Sequence, residues 1–290
     1  MKKLKSILKH YKIVFLVPVF ESIECAEDLI NNIYTICPNS GIILHVNSNS
    51  SIEFQNNISK LVNIYDFCYL FPIKYPSDWG HGYLATIYVE MMEWCLKNLS
   101  FDYVYQTASN SLMINPLLET RIYDFDGYCY NPGVKNSGDW WDKISLDTNL
   151  LRYIKSKDNK IYVCITEGFA LSKIACEKLV NDLIPHLPRH RVDYPTEEYW
   201  IPTAFNHLKK DIIYKDRCLE KWEQGKDEWI NDLALPVDRV SGYTINLMLE
   251  NKFDVLSNTF CYSLKRIPRV YNDLLRKTIR EHFGYSNQIF

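Results

Sequence analysis

Residues 13–19, IVFLVPV, form an apolar run without a single charged side chain. Such a run suits a strand covered on both faces, as in a parallel sheet, and is far too short to cross a bilayer. The next segment has helical spacing: in ESIECAEDLINNIYTI (21–36) the apolar residues Ile23, Ala26, Ile30 and Ile33 share one face. A second apolar strand, GIILHV, is expected at 41–46, a short helix near 52–61 and a third strand at 65–71. A loop with two prolines and two glycines spans 72–82. A long helix is expected at 83–98, then a fourth strand, FDYVYQTA. Strands alternating with helices over short connections predict a doubly wound, mostly parallel α/β sheet. Ligands of such sheets bind beyond the carboxyl ends of the strands. In this chain those ends are Val17–Phe20, Val46–Ser48, Phe71–Tyr83 and Thr107–Ser111.

The second half reads less regularly. Residues 121–150 are rich in Tyr, Trp, Asp and Asn and are expected to be a loop region facing an acceptor. A strand is expected at 160–166 and helices at 171–183 and 196–208. No repeat or linker divides the chain. The expectation is one domain over 1–290, with a nucleotide-binding half at 12–120 and an acceptor and catalytic half at 121–290.

Charge and cysteines exclude several classes. A formal net charge of -2 gives no general attraction to nucleic acid. Nine cysteines without a CxxC pair argue against a zinc knuckle and read as reduced, buried thiols of a cytoplasmic protein. The start, MKKLKSILKHYK, lacks the pattern of a signal peptide. Its lysines and the basic stretch Lys265, Arg266, Arg269, Arg276, Lys277 and Arg280 predict peripheral contact with the inner face of a membrane.

Neither GxGxxG nor GxxxxGK[ST] is present, so the usual phosphate loops are excluded. WGHGY (79–83) opens a helix, where glycines can leave room for an anion or sugar or simply make a turn. Asp124-Phe125-Asp126 has the Asp-x-Asp form that holds a divalent ion on a diphosphate, yet it lies well past the fourth strand. His186 and His190 are separated by Pro188 and do not share a helix face. In DYPTEEYWIPTAF (193–205), Thr196 is the expected N-cap of a helix whose first turn carries Glu197 and Glu198. Carboxylates there complement the helix dipole. Flanked by Tyr194, Tyr199 and Trp200, they could equally serve a sugar site.

Seven segments, in order from residue 12 to 267, resemble the family 14 glycosyltransferases, the core-2/I-branching N-acetylglucosaminyltransferases and their xylosyltransferase relatives. KIVFLVPVFESIECAEDLINNI looks like that family's opening, and GIILHVNSNSS is similar to its HVD-x-K-S strand end. SDWGHGYLATIYVEMMEWCL, FDYVYQTASNSLMINPLLE, TEGFALSKIACEKLV, PTEEYW and LSNTFCYSLKRI resemble later family motifs. The resemblance implies a GT-A-like fold and an inverting, metal-independent transfer of a sugar, of the N-acetylglucosamine kind, from a UDP-sugar to a glycan acceptor. No cofactor would be needed; the basic termini, by holding the enzyme at a membrane, suggest a lipid-linked acceptor in surface polysaccharide synthesis. The resemblance puts the catalytic base on Glu197, with Trp200 as the matching aromatic, and the cation for the diphosphate on Lys265, with Arg239 as its partner. Donor contacts fall on Val17, Asn47, Trp79, Gly80, Ser109 and Asn110. Asn47 and Ser111 stand where the family has Asp, and Thr196 replaces the Asp of its P-D-E. The competing readings are a metal-dependent transferase using Asp124 and Asp126, and a nucleotide-sugar-binding protein without catalysis.

Overall fold

The structure is a computed structural model. It describes residues 9–20, 22–78, 81–124, 126–129, 133–138, 140–164, 166, 168–209, 214–216, 235–236, 250, 253, 262–265 and 267–290. The apolar run is the heart of strand β1 (His10–Val19). On one side it pairs in parallel with β2 (Ser40–Val46), which pairs with β3 (Cys68–Leu70); on the other it pairs in parallel with β6 (Ser100–Gln106). Helices α1 (Ile23–Ile36) and α2 (Ile52–Ile64) make the first two crossovers, and the hydroxyls of Ser22 and Ser51 cap them by accepting from Cys25 N and Phe54 N. A small hairpin, β4 (Ser77–Asp78) with β5 (His81–Gly82), leads into α3 (Leu84–Asn98). Through α3 the chain returns past β1 to add β6 on its far side.

The sheet has seven strands in the order β12-β8-β11-β6-β1-β2-β3. Its extra strands are β8 (Gly127–Cys129), β11 (Ala170–Ser172) and β12 (Tyr214–Asp216). β11 is antiparallel to both neighbours, so the sheet is mixed but mostly parallel. A second sheet sets β14 (Ser263–Lys265) between β7 (Leu112–Met113) and β13 (Leu235–Pro236).

The expected loop region is instead a string of short elements. After α4 (Leu118–Arg121) and a 3-10 turn at Ile122–Asp124 come β8, β9 (Gly133–Lys135), α5 (Trp141–Ile144) and α6 (Thr148–Lys155). Most span three or four residues, too few for a period to show in sequence. The strand expected at 160–166 is β10 (Ile161–Val163), antiparallel to β9. β11 is hidden in the sequence because it runs directly into α7 (Lys173–Leu183): Ser172 ends the strand and caps the helix through Ala175 N. α8 (Glu197–Leu208) lies where expected.

The basic tail is corrected by the structure. In α9 (Leu274–Phe283), Arg276 is fully buried and bonds Asp28 of α1 at 2.6 Å, and Arg280 joins the same carboxylate at 3.2 Å. Glu27 beside it accepts from Tyr65 Oη and the amides of Gln288, Ile289 and Phe290. Arg276 and Arg280 are therefore pinned inside the protein and are not presented to lipid. The lysines at 2, 3 and 5 lie outside the described residues. Among those described, no helix is long and apolar enough to cross a membrane.

Removing one partner of a buried ion pair strands the other charge. Arg276→Met is expected to lower unfolding free energy by about 3–5 kcal/mol in urea titrations. Asp28→Leu combined with Arg276→Met and Arg280→Met should recover most of that loss, and an unchanged single variant would show the pair to be dispensable.

Candidate functional site

Because the chain adds β2 and β3 on one side of β1 and then returns to add β6 on the other, the crevice of the fold opens at the carboxyl ends of β1 and β6. Phe20 stands on its rim, 43% exposed, with the Arg269 guanidinium 4.8 Å above its ring. Ile267 N donates to Asn110 O, and Pro268 O accepts from the buried Arg276 Nε at 2.7 Å. The segment 267–269 is thus fixed across the gap between the ends of β6 and β1.

At the end of β6, Gln106 is fully buried, and neither its Oε1 nor its Nε2 meets a hydrogen-bond partner among the described residues. The hydroxyls of Ser109 and Ser111, also buried, are in the same position. Orphaned polar groups of this kind cost about 1–3 kcal/mol each and call for a reason, ligand or water among them. Three of them within six residues, next to the crevice, mark this turn. Gln106 is not among the residues that motif and spacing single out; its one signal in the sequence is a primary amide closing an otherwise apolar strand. Asn110 is half-buried and ties the turn to the C-terminal segment. Lys265 belongs to the same place at the level of the backbone, since Ser263 and Leu264 pair with Met113 and Leu112 of β7.

Asn47 lies at the end of β2 as expected, but its side chain is already committed. Its Nδ2 donates to Ser77 O, and its Oδ1 accepts from Asn49 N. His45, two residues earlier in the chain, is buried and pushed down to about 4 by desolvation, so it is a neutral acceptor for Tyr75 N. Val17, third from the carboxyl end of β1 and opposite Leu44, is fully buried and presents no surface to the crevice. Trp79, Gly80 and Arg239 lie outside the described residues.

Thr196 does not cap α8. Its φ/ψ is helical and its side chain makes no cap bond. Instead the hydroxyl accepts from Ala85 N at 3.0 Å and donates to Gly82 O at 3.2 Å. Gly82 itself takes φ 146°, a conformation only glycine adopts cheaply. This clasp fastens the start of α8 to the start of α3. One turn further along α3, Tyr88 Oη donates to Thr107 O, directly after β6. Glu197, buried at 5% exposure, is thereby held in the first turn of α8, on the side of the molecule where β6 ends. Pro202 lies inside α8 and has no N–H to give Glu198 O; that carbonyl accepts from Cys164 N at 3.1 Å instead.

Trp200 is not a surface for a sugar. It has no exposed area, its Nε1 donates to Tyr194 Oη, and that phenol donates to Asp147 Oδ2 at 2.5 Å. Burial first, then the Asp147 carboxylate, pushes the Tyr194 phenol well up, so it remains a donor. Trp200 secures α8 against the segment before it. Asp124 and Asp126 are corrected too. Ser172 N donates to Asp126 O while Ser172 is paired with Tyr103, which sets Asp126 three residues short of the end of β6. Their charges, with that of Asp102, act on Tyr103, the middle residue of that strand. That is not the carboxyl end of β6, where the crevice opens. Among the described residues no group of three or more His, Cys, Asp or Glu side chains could hold a metal ion.

Thr196→Val should lower stability by about 1–3 kcal/mol, because it strands Ala85 N and Gly82 O. Thr196→Ser should restore most of it. Equal urea midpoints for the wild type and the Val variant would show that the clasp holds nothing.

No protein-family model and no curated protein matches this sequence. Solved structures resemble it in fold. The mannosyltransferase PcManGT of Pyrobaculum calidifontis, in complex with GDP-mannose and manganese, has 12% identity and a TM-score of 0.42 over 72% of this chain and 55% of its own. This chain therefore spans about half the length of that protein. The galactosyltransferase LgtC, with donor and acceptor sugar analogues, has 9% identity and a TM-score of 0.46 over 96% and 97%. The glycosyltransferase GlyE of Streptococcus pneumoniae has 12% identity and a TM-score of 0.39 over 95% and 61%. At these identities and scores the likeness assigns no activity.

Proposed function

We propose that this chain is a glycosyltransferase that moves a sugar from a nucleotide-sugar donor to a glycan acceptor, with inversion and with Glu197 as general base. The observation that carries the reading is the clasp of Thr196, which holds a buried carboxylate in the first turn of α8 beside the opening of α3. The parallel carboxyl edge between β1 and β6 supports a nucleotide there, and the polar turn 106–111 supports a ligand rich in hydroxyls. The motif resemblance supports UDP as the nucleotide, the thiols without a CxxC pair support a cytoplasmic enzyme, and the lysine-rich start supports a lipid-linked glycan acceptor.

In this mechanism the acceptor hydroxyl attacks the anomeric carbon from the face opposite the diphosphate. Glu197 takes the hydroxyl proton as the new bond forms, and the nucleoside diphosphate leaves with the bonding pair. Charge grows on the departing phosphate, so cations must be placed there in advance. Lys265 is proposed for that role, with Arg239 as its partner, and no metal is required. Asp147, Tyr194 and Trp200 act behind the site by fixing the approach to α8.

Glu197→Gln keeps the shape of the side chain but cannot take the proton. Turnover should fall by about 10²–10⁴-fold while donor affinity measured by calorimetry changes little. Turnover of the wild type should persist in EDTA. A Gln variant with wild-type turnover would remove Glu197 as base, and activity lost in EDTA and restored by manganese would return the metal-dependent reading.

A further inference from the structure

Among the described cysteines, two approach each other with their sulfur atoms. Cys129, the last residue of β8, and Cys164, directly after β10, have sulfurs 3.5 Å apart, although 35 residues separate them in the chain. Both are buried, at 8% and 7% exposure. A disulfide needs sulfurs at about 2.05 Å, so closure asks for a movement of about 1.5 Å, within reach of side-chain rotation and a small backbone shift. Cys95 and Cys176 also lie near enough to act on one another, but in a fully buried setting. Cys37, Cys95 and Cys176 are completely buried, and desolvation raises all three, which keeps them protonated and slow to react.

What makes the pair more than a contact is its attachment to α8. Cys164 N is the donor that replaces the one Pro202 lacks, and its acceptor is Glu198 O in the first helical turn. A shift of Cys164 toward Cys129 pulls on that hydrogen bond, and Glu197 is the next residue.

We infer that Cys129 and Cys164 are a reversible redox pair, whose disulfide ties the end of β8 to the residue after β10 and disturbs the first turn of α8. The oxidant is a hydroperoxide. One thiolate attacks the peroxide oxygen to give a sulfenic acid and, after protonation, water. The second thiol then attacks the sulfenic sulfur, forming the S–S bond and releasing a second water. Two thiols and one hydrogen peroxide thus become one disulfide and two waters. Reduction by a dithiol reverses the step. The chemistry of the pair stands without the proposed function; only its consequence for turnover rests on that reading.

The test treats the full chain with hydrogen peroxide and follows intact mass, non-reducing peptide maps and amide exchange. The expected product has lost two hydrogens, maps to a Cys129–Cys164 link, and returns to the starting mass with dithiothreitol. Cys129→Ser and Cys164→Ser should each abolish it. In the oxidised wild type the amides of the first two turns of α8 should exchange several-fold faster, and donor turnover should fall with them. Oxygen addition without the link, or a link between other cysteines, overturns the pair. A Cys129–Cys164 link that leaves α8 exchange unchanged overturns the coupling. Altered exchange without any nucleotide-sugar turnover in the untreated protein supports the pair and counts against the proposed function instead.

Discussion

Everything in this molecule is arranged around the burial of β1. Its apolar residues need cover on both faces and hydrogen-bond partners along both edges, and water can supply neither. β2 and β6 satisfy the edges, and the helices satisfy the faces. A chain that fills one edge first must turn back to fill the other. The crevice at the carboxyl ends of β1 and β6 results from that return, and so does the position of α3 as the element that spans it. The same demand explains the C-terminal segment. Glu27, Asp28, Asn31 and Asn32 make the second face of α1 polar, yet it is buried: α9 brings two arginines to Asp28, residues 288–290 bring amides to Glu27, Ser286 O accepts from Asn31, and Asn32 exchanges hydrogen bonds with Met113 of β7.

The site inherits its rigidity from tertiary bonds rather than from local capping. Thr196 reaches across to α3, Pro202 releases a carbonyl to Cys164, and Trp200 leans on the Tyr194–Asp147 pair. Each holds the start of α8 from a different direction. The exchange of donors at Pro202 has a further effect: it links the helix that carries Glu197 to a strand end whose neighbour is a second thiol.

The parts of the fold that are legible in sequence are those specified locally. β1, α1, β2 and α2 lie close to where apolar runs and helical spacing place them. The elements between 118 and 155 are not legible, because three- and four-residue pieces are stabilised by their neighbours and carry no period of their own. β11 is hidden by a serine that serves both strand and helix. Arg276 and Arg280 read as part of a basic tail facing a membrane because charge in a sequence suggests exposure, and only the fold brings Asp28 to them. Glu197, Ser109, Asn110 and the backbone of Lys265 lie on the side of the sheet where β6 ends. Val17 and Trp200 are core residues, and Asp126 is level with the middle of β6. Gln106 and the Cys129–Cys164 contact depend on which strand ends meet, which no spacing encodes.

If this fold is a sugar-transfer enzyme, the carboxyl edge between β1 and β6 must receive a nucleotide-sugar. Amide hydrogen exchange followed by mass spectrometry, with UDP and with a UDP-sugar at saturating concentration, reads that edge peptide by peptide. The expected result is slowed exchange in residues 106–111 and in the peptide that ends β1, with little change around Asp124 and Asp126. Saturable binding that protects the 121–126 region and leaves 106–111 untouched, or no binding of any nucleotide, would contradict it.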